Sequence, residues 1–315
     1  ITAAKEAAKR DVLYLSPHSY ANATTGSMGH THIFRESYNA WMAGKAISFY
    51  INQMLTDKRV FYATADYSWG HSSESSLRAF TKTEDTQMHP GALIPFPRPR
   101  YRDIESVMYQ ARDSGAGVMV LTLAGDDLVT AMQIAHNLDL DKTMEIIVPG
   151  LTQDTVRVTG VGALQGVIST VPWCWRLPTQ FGNQKGIAFV EKYAQQHRVY
   201  PSSSAAAAYS LIYQYRDAAE RANSTSSRAI IRALEGHTFT ELKDQQTWRA
   251  FDHQSVQSVH VVKVKPRAEA LKDPLREDYF DILLSIPGAM AARTESDWLA
   301  ERQKAGVSGR LTSIK

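Results

Sequence analysis

Hydrophobic and polar positions follow two alternating periods along this chain, most clearly from residue 101 to residue 140. Apolar residues first recur at the helical spacing, up to a turn at 114–117 whose glycines permit the left-handed conformation that ends helices. Residues 118–121 are then apolar on both faces, as a strand buried in a parallel sheet must be. The stretch 124–127 begins a second helix, with Asp126 available as a helix cap. This pattern predicts one helix–strand–helix unit of a doubly wound α/β sheet.

The same alternation recurs along most of the chain. Strands alternating with helices imply a parallel sheet with right-handed crossovers. The predicted strands are 12–15, 59–63, 88–95, 118–121, 145–148, 166–171, 259–264 and 279–286. Beyond residue 180 the pattern is mainly helical, with predicted helices at 186–197, 205–222 and 226–234.

Composition narrows the function classes. A chain of 315 residues is long enough for two domains, and 43% hydrophobic with 21% charged residues is typical of globular proteins. No apolar run approaches membrane-spanning length. The net charge of +3 is too small and too dispersed to indicate a nucleic-acid partner. Cys174 is the only cysteine, which excludes disulfide scaffolds and cysteine-based zinc sites within the chain.

Motifs for catalysis and cofactor binding are missing from the sequence. It contains no His-Glu-x-x-His, no Gly-x-Ser-x-Gly and no P-loop. The glycines at 160–166 precede a strand, whereas the dinucleotide fingerprint follows one. His30 and His32 share one face of an extended segment, but no third metal ligand has a recognisable spacing. We therefore predict no catalytic residue, no cofactor and no metal.

Several short segments together resemble the type I periplasmic solute-binding proteins of ABC importers. The resemblance is to the group for branched-chain amino acids, amides and aromatic compounds, and it covers about residues 1–290. The matching segments are the strand with Ser-Pro at 12–17, the Phe-Arg crossover at 33–35, Asp-Tyr-x-aromatic-Gly at 66–70, Ala-x-x-Ser-Gly at 111–118, the glycine-rich approach at 160–167 and the tail at 279–288.

This resemblance implies an α/β fold of two doubly wound, Rossmann-like lobes joined by a three-strand hinge. Lobe one would take residues 1–34 and 172–250, lobe two 35–171 and 258–265, and a C-terminal tail 266–315. Family members carry an additional N-terminal segment with the first strands of lobe one, whereas this sequence starts at the end of a helix. We therefore expect an incomplete lobe one, and we find no signal peptide at residue 1.

A ligand would lie between the lobes, where loops follow the carboxyl ends of the strands. Trp69 offers a face for stacking, and Tyr20 offers a hydroxyl. Trp173 and Trp175 point to opposite sides of an extended segment, so at most one of them faces the cleft. The predicted ligand-binding residues are His18, Ser19, Tyr20, Trp69, Gly125, Asp126, Thr152 and Trp173.

Departures from the family pattern bear on the ligand. Amino-acid binders of this family hold the α-carboxylate with an Ala-x-Thr-type loop and the α-ammonium with an acidic residue. Here the first loop reads His18-Ser19-Tyr20, and Leu151-Thr152 stands where the acid is expected. Because a buried ammonium without a counter-charge is costly, we predict an aromatic, amide-like or other non-amino-acid solute.

The family resemblance further implies a periplasmic, non-enzymatic protein that delivers its solute to ABC permease subunits. Three alternatives stay open at this point. They are a branched-chain amino acid binder, a regulatory protein that senses a ligand with the same fold, and an enzyme on a doubly wound scaffold.

Overall fold

Twelve strands form three sheets in the computed structural model, which describes residues 2–314. The strands are β1 (Tyr14–Ser16), β2 (Ile33–Arg35), β3 (Val60–Ala65), β4 (Gly91–Ile94), β5 (Val118–Thr122), β6 (Glu145–Val148), β7 (Ile168–Val171), β8 (Thr238–Phe239), β9 (Gln246–Trp248), β10 (Ser255–Val256), β11 (Val259–Val264) and β12 (Phe280–Ile286).

Helices occupy most of the intervening chain. They are α1 (Thr2–Lys9), α2 (Ala40–Met54), α3 (Ser68–Thr81), α4 (Tyr101–Asp113), α5 (Gly125–Asn137), α6 (Leu140–Thr143), α7 (Gln153–Thr159), α8 (Val161–Leu164), α9 (Leu177–Gln180), α10 (Gln184–His197), α11 (Ser203–Ala222), α12 (Ser227–Leu234), α13 (Arg267–Ala270), α14 (Gly288–Ala291) and α15 (Glu295–Lys304), with a 3₁₀ turn at Asn22–Thr24.

A seven-stranded sheet dominates the fold, in the order β12-β11-β7-β6-β5-β3-β4. Strands β3 to β7 pair in parallel, while β11 runs antiparallel to both of its neighbours. Strand β5 is buried along its whole length: Met119 and Leu121 enter the core on one face, and Val118 and Val120 enter the core on the other. The predicted unit of α4, β5 and α5 is therefore confirmed, with helices covering both faces.

Two small sheets lie outside the large one. Strands β1 and β2 pair in parallel, and β8 to β10 form an antiparallel sheet. Helices α11 and α12 pack against them around a separate core that contains Phe34, Leu211 and Trp248. The three helices predicted beyond residue 180 correspond to α10, α11 and α12. The sequence pattern did not indicate β8 to β10, because strands of two or three residues are too short to show a period.

The segment assigned to a C-terminal tail contributes to both parts of the fold. Strand β12 forms one edge of the large sheet by pairing with β11. Helix α15 packs on the loop after β1, where the indole of Trp298 donates to the Thr25 carbonyl at 2.9 Å. The Arg302 guanidinium donates to the Gly26 carbonyl at 2.6 Å. The exact residue limits of the two lobes stay a prediction.

Three chain crossings connect the small sheets to the large one, near residues 36, 172 and 257. The amide of Gln254 donates to the Ser37 carbonyl at 2.8 Å. The buried Lys243 ammonium donates to Gln257 Oε1 at 2.7 Å and to the Pro172 carbonyl. Burial lowers the pKa of Lys243, and nearby acidic groups oppose that change. Buried hydrogen bonds therefore tie the three crossings together.

Candidate functional site

A cleft of about 290 Å³ opens at the carboxyl ends of β1, β3, β5 and β6. Parallel sheets bind ligands at this edge because their loops converge there. Five of the eight predicted residues line it, namely His18, Ser19, Tyr20, Trp69 and Thr152. The other lining residues are Ala21, Tyr67, Ser68, Ala124, Gly150 and Thr155.

Tyr20 is held by aromatic stacking on Tyr38 and by a contact between its hydroxyl and His18. Its ring stacks on Tyr38, with centroids 5.0 Å apart and planes inclined by 26°. Tyr38 is fixed in turn by its hydroxyl, which donates to the Thr170 carbonyl at 2.9 Å. Burial raises the pKa of Tyr20 well above its ordinary value, so the phenol is neutral. The Tyr20 side chain therefore offers the cleft a neutral hydroxyl and a ring edge.

His18 is the one titratable imidazole in the cleft lining. Its Nδ1 lies 3.1 Å from the Tyr20 hydroxyl and 2.9 Å from the Ser204 hydroxyl at the start of α11. Burial lowers the pKa of His18, and the charge of Asp154 only partly opposes this effect. Because the lining residues include no Asp, Glu, Lys or Arg, the cleft wall carries no formal charge near neutral pH.

Gly150 brings the aromatic residues of the cleft together. It has φ +83°, in the region that favours glycine, because the chain turns sharply after β6. A β-carbon at this position would lie 3.6 Å from the Tyr38 hydroxyl, 3.7 Å from the Trp69 ring and 3.8 Å from the Tyr20 ring. The missing side chain thus leaves open a space that three aromatic side chains border.

Two helices begin at the cleft without a side-chain cap. The residues before the first turns of α3 and α5 are Tyr67 and Ala124, and neither accepts a capping hydrogen bond on its side chain. Both line the cleft. Free first-turn N–H groups and the helix dipole favour an acceptor or an anionic group. The short helix α7 differs, because the Thr152 hydroxyl accepts a hydrogen bond from the Thr155 N–H at 3.1 Å.

Three of the predicted residues lie elsewhere. Gly125 and Asp126 are in the exposed first turn of α5, and only their neighbour Ala124 reaches the cleft lining. Trp173 is 5% exposed and packs edge-on against Phe189, and its indole donates to the Leu242 carbonyl at 3.2 Å. The expected pocket wall at Trp173 is therefore a core position, because the crossing chain turns this ring towards α10 rather than the cleft.

The lining residues that were not singled out all follow strand ends. Tyr67 and Ser68 flank the start of α3, Gly150 follows β6, and Thr155 is in the first turn of α7. Sequence position signals such loops, but it does not show which side chain points inwards.

Within the His30–His32 pair, His32 contacts an acidic side chain. His32 Nε2 lies 2.9 Å from Asp11 Oδ1. Burial lowers the pKa of His30 to about 4. Among residues 2–314, no three or more His, Cys, Asp or Glu side chains are placed to hold a metal ion. Over the same residues, no helix combines the length and apolar character needed to cross a bilayer.

Comparison with known proteins identifies the family. The family model for periplasmic binding proteins matches residues 2–270. The chain belongs to the periplasmic binding protein family. The predicted type I fold is confirmed by the family match and the similar solved structures. The prediction that the chain is not an enzyme is confirmed as well, because the family is one of binding proteins. Such proteins bind small-molecule solutes and work with permeases.

Solved structures of this family are similar over most of the chain. A periplasmic binding protein from Burkholderia mallei superposes with a TM-score of 0.81 at 23% identity, covering 94% of this chain and 75% of the other. A leucine-, isoleucine-, valine-, threonine- and alanine-binding protein from Brucella ovis in its closed conformation has a TM-score of 0.73 at 20% identity, covering 90% and 72%.

A third similar structure holds an aromatic acid. It is a solute-binding protein of an ABC transporter from Rhodopseudomonas palustris in complex with 3,4-dihydroxybenzoic acid, with a TM-score of 0.75 at 16% identity, covering 91% and 75%. A search of functionally curated proteins finds no significant match. At these identities the solved structures show the shared fold alone.

Proposed function

We propose that this chain is the solute-binding component of an ABC importer and that its solute is an aromatic acid or another small molecule that is not an amino acid. The cleft lining carries this proposal: it combines aromatic rings and hydroxyl groups with no carboxylate among its residues. The proposal includes a periplasmic location and delivery to permease subunits, as the family implies.

The charge of the cleft argues against an α-amino acid. An amino acid would bring a buried ammonium, which needs an acidic partner, and the lining supplies none. A carboxylate, in contrast, would meet the uncapped first turns of α3 and α5. The same cleft therefore favours a solute with an anionic or neutral polar group.

The apolar part of such a solute would meet Trp69, Tyr67 and Tyr20. Aromatic faces prefer offset or edge-on contact with other rings. Small-molecule sites span about 300–1,000 Å³. The cleft volume of about 290 Å³ is just below this range and favours a small solute with a single ring.

The test is calorimetric titration of the purified protein with benzoate, 3,4-dihydroxybenzoate, acetamide, urea and L-leucine. We expect an aromatic acid to bind and to raise the melting temperature, because a ligand of the folded state stabilises it. Tight binding of L-leucine without binding of aromatic acids would refute the proposed solute class and favour the branched-chain amino acid alternative.

A further inference from the structure

Glu277 lies in the loop between α13 and β12, far along the chain from every residue of the cleft lining. It contacts α7, whose first turn forms one wall of the cleft, and the chain leading into α11, which supports the His18–Tyr20 loop on the other wall. We propose that Glu277 is a positioning residue that sets the distance between these two walls and thereby determines solute affinity. The affinity part of this inference rests on the proposed solute-binding function.

The first wall is held through α7. The Gln153 amide donates to the Glu277 backbone carbonyl at 2.6 Å. The Arg157 guanidinium binds the Glu277 carboxylate with two N–H groups, one of them at 2.9 Å. Thr152 and Thr155, which line the cleft, are at the N-terminal end of this same helix. Glu277 therefore fixes the helix whose first turn forms part of the cleft.

The second wall is reached through the chain that leads into α11. The Glu277 carboxylate accepts a hydrogen bond from the Tyr200 N–H at 2.8 Å. Arg157 closes the ring of contacts by donating to the Tyr200 carbonyl at 3.0 Å. Four residues further on, Ser204 contacts His18 in the cleft. The Glu277 carboxylate thus links α7 to the start of α11, which contacts the His18–Tyr20 loop.

Burial makes these contacts strong. Glu277 is 5% exposed, and its backbone carbonyl also accepts from the Trp175 indole at 3.3 Å. The Trp175 ring stacks on Tyr200 with centroids 3.9 Å apart. Hydrogen bonds to charged groups in such shielded positions are roughly twice as strong as neutral ones. A neutral amide in place of the carboxylate would loosen the contact between the two walls while keeping the volume of the side chain.

The test compares Glu277→Gln with Glu241→Gln as a matched control. Glu241 is also 5% exposed and pairs with Lys185 at 2.8 Å, but it borders no part of the cleft. With 3,4-dihydroxybenzoate as the probe, we expect Glu277→Gln to weaken binding about tenfold, the cost of one charge-assisted hydrogen bond. The loss should appear mainly as faster dissociation, since the walls separate more readily. Glu241→Gln should stay within about twofold of wild type, since it leaves the cleft contacts intact.

Hydrogen exchange provides a measurement that needs no ligand. Amides of α7 should exchange faster in Glu277→Gln than in wild type, and those of α5 should not change. A double-mutant cycle with Arg157→Lys should show non-additive effects, because both substitutions disturb one contact.

Two results would overturn the inference: unchanged exchange in α7, or a lowered melting temperature with unchanged affinity and dissociation rate. If the wild-type protein binds no aromatic acid, the proposed solute class and the affinity part of the inference fail, and the exchange comparison still decides whether Glu277 fixes α7.

Discussion

The substitution Gly150→Ala tests how the shape of the cleft affects solute affinity, and a second glycine serves as a control for the effect on stability. Gly150 has φ +83° and faces the open space between Tyr20, Tyr38 and Trp69. Gly115 has φ +67°, and a β-carbon there would meet nothing within 4 Å. Both glycines therefore have a backbone conformation that disfavours other residues, but only Gly150 lines the cleft.

The expected magnitudes follow from this difference. A left-handed backbone costs a residue other than glycine about 1–2 kcal/mol, so both alanine variants should lose about that much unfolding free energy. At Gly150 the new methyl group would also lie 3.6–3.8 Å from three aromatic side chains. These are ordinary van der Waals contacts, so they add little strain, but the methyl group fills space that the solute would occupy.

The assay is denaturant unfolding together with calorimetric titration of 3,4-dihydroxybenzoate. We expect similar losses of stability in Gly150→Ala and Gly115→Ala, with affinity reduced about tenfold or more only in Gly150→Ala, because overpacking costs about 1–3 kcal/mol. Wild-type affinity in Gly150→Ala, or an equal loss of affinity in both variants, would refute the placement of the solute beside Gly150.

Three further predictions use other observations. Trp69→Ala should weaken binding of an aromatic acid roughly 3- to 10-fold with little loss of stability, since the ring is half-buried and one aromatic pair contributes about 0.5–1.5 kcal/mol; unchanged affinity in calorimetry would contradict this. Burial lowers the pKa of His30 to about 4, so between pH 6.5 and 5 the unfolded chain binds a proton that the folded chain does not. Stability should therefore fall by about 1–2 kcal/mol over that range, and His30→Gln should remove this part of the loss in urea titrations. Burial also raises the pKa of Cys174 to about 11, so the thiol should react with iodoacetamide only after unfolding; rapid labelling of the native protein would refute its burial.

Much of the large sheet could be predicted because its signals are local. The turn at 114–117, the apolar run of β5 and the start of α5 are each decided by residues close in sequence. Family motifs such as Asp66 to Gly70 then placed these elements in a periplasmic binding protein. The predicted strand at 279–286 likewise corresponds to β12. In contrast, the pattern did not indicate α15, because the few apolar residues of this charge-rich helix, such as Trp298, find partners only after folding.

The candidate site was predictable as a set of loops but not as a set of side chains. Every predicted position that lines the cleft follows a strand end, and so do the positions that were overlooked. Trp173 shows the limit, because an extended segment presents alternate faces and only the packing of α10 decides which one is buried.

The sequence by itself determined the α/β alternation, the loops that follow the strands and the presence of Leu151-Thr152 where the family has an acidic residue, because each is read from neighbours along the chain. The tertiary structure decided which side chains meet. It stacked Tyr20 on Tyr38, placed Gly150 beside Trp69, and joined Arg157, Tyr200 and Glu277. Such contacts join residues that are distant in sequence, and local propensity carries no information about them.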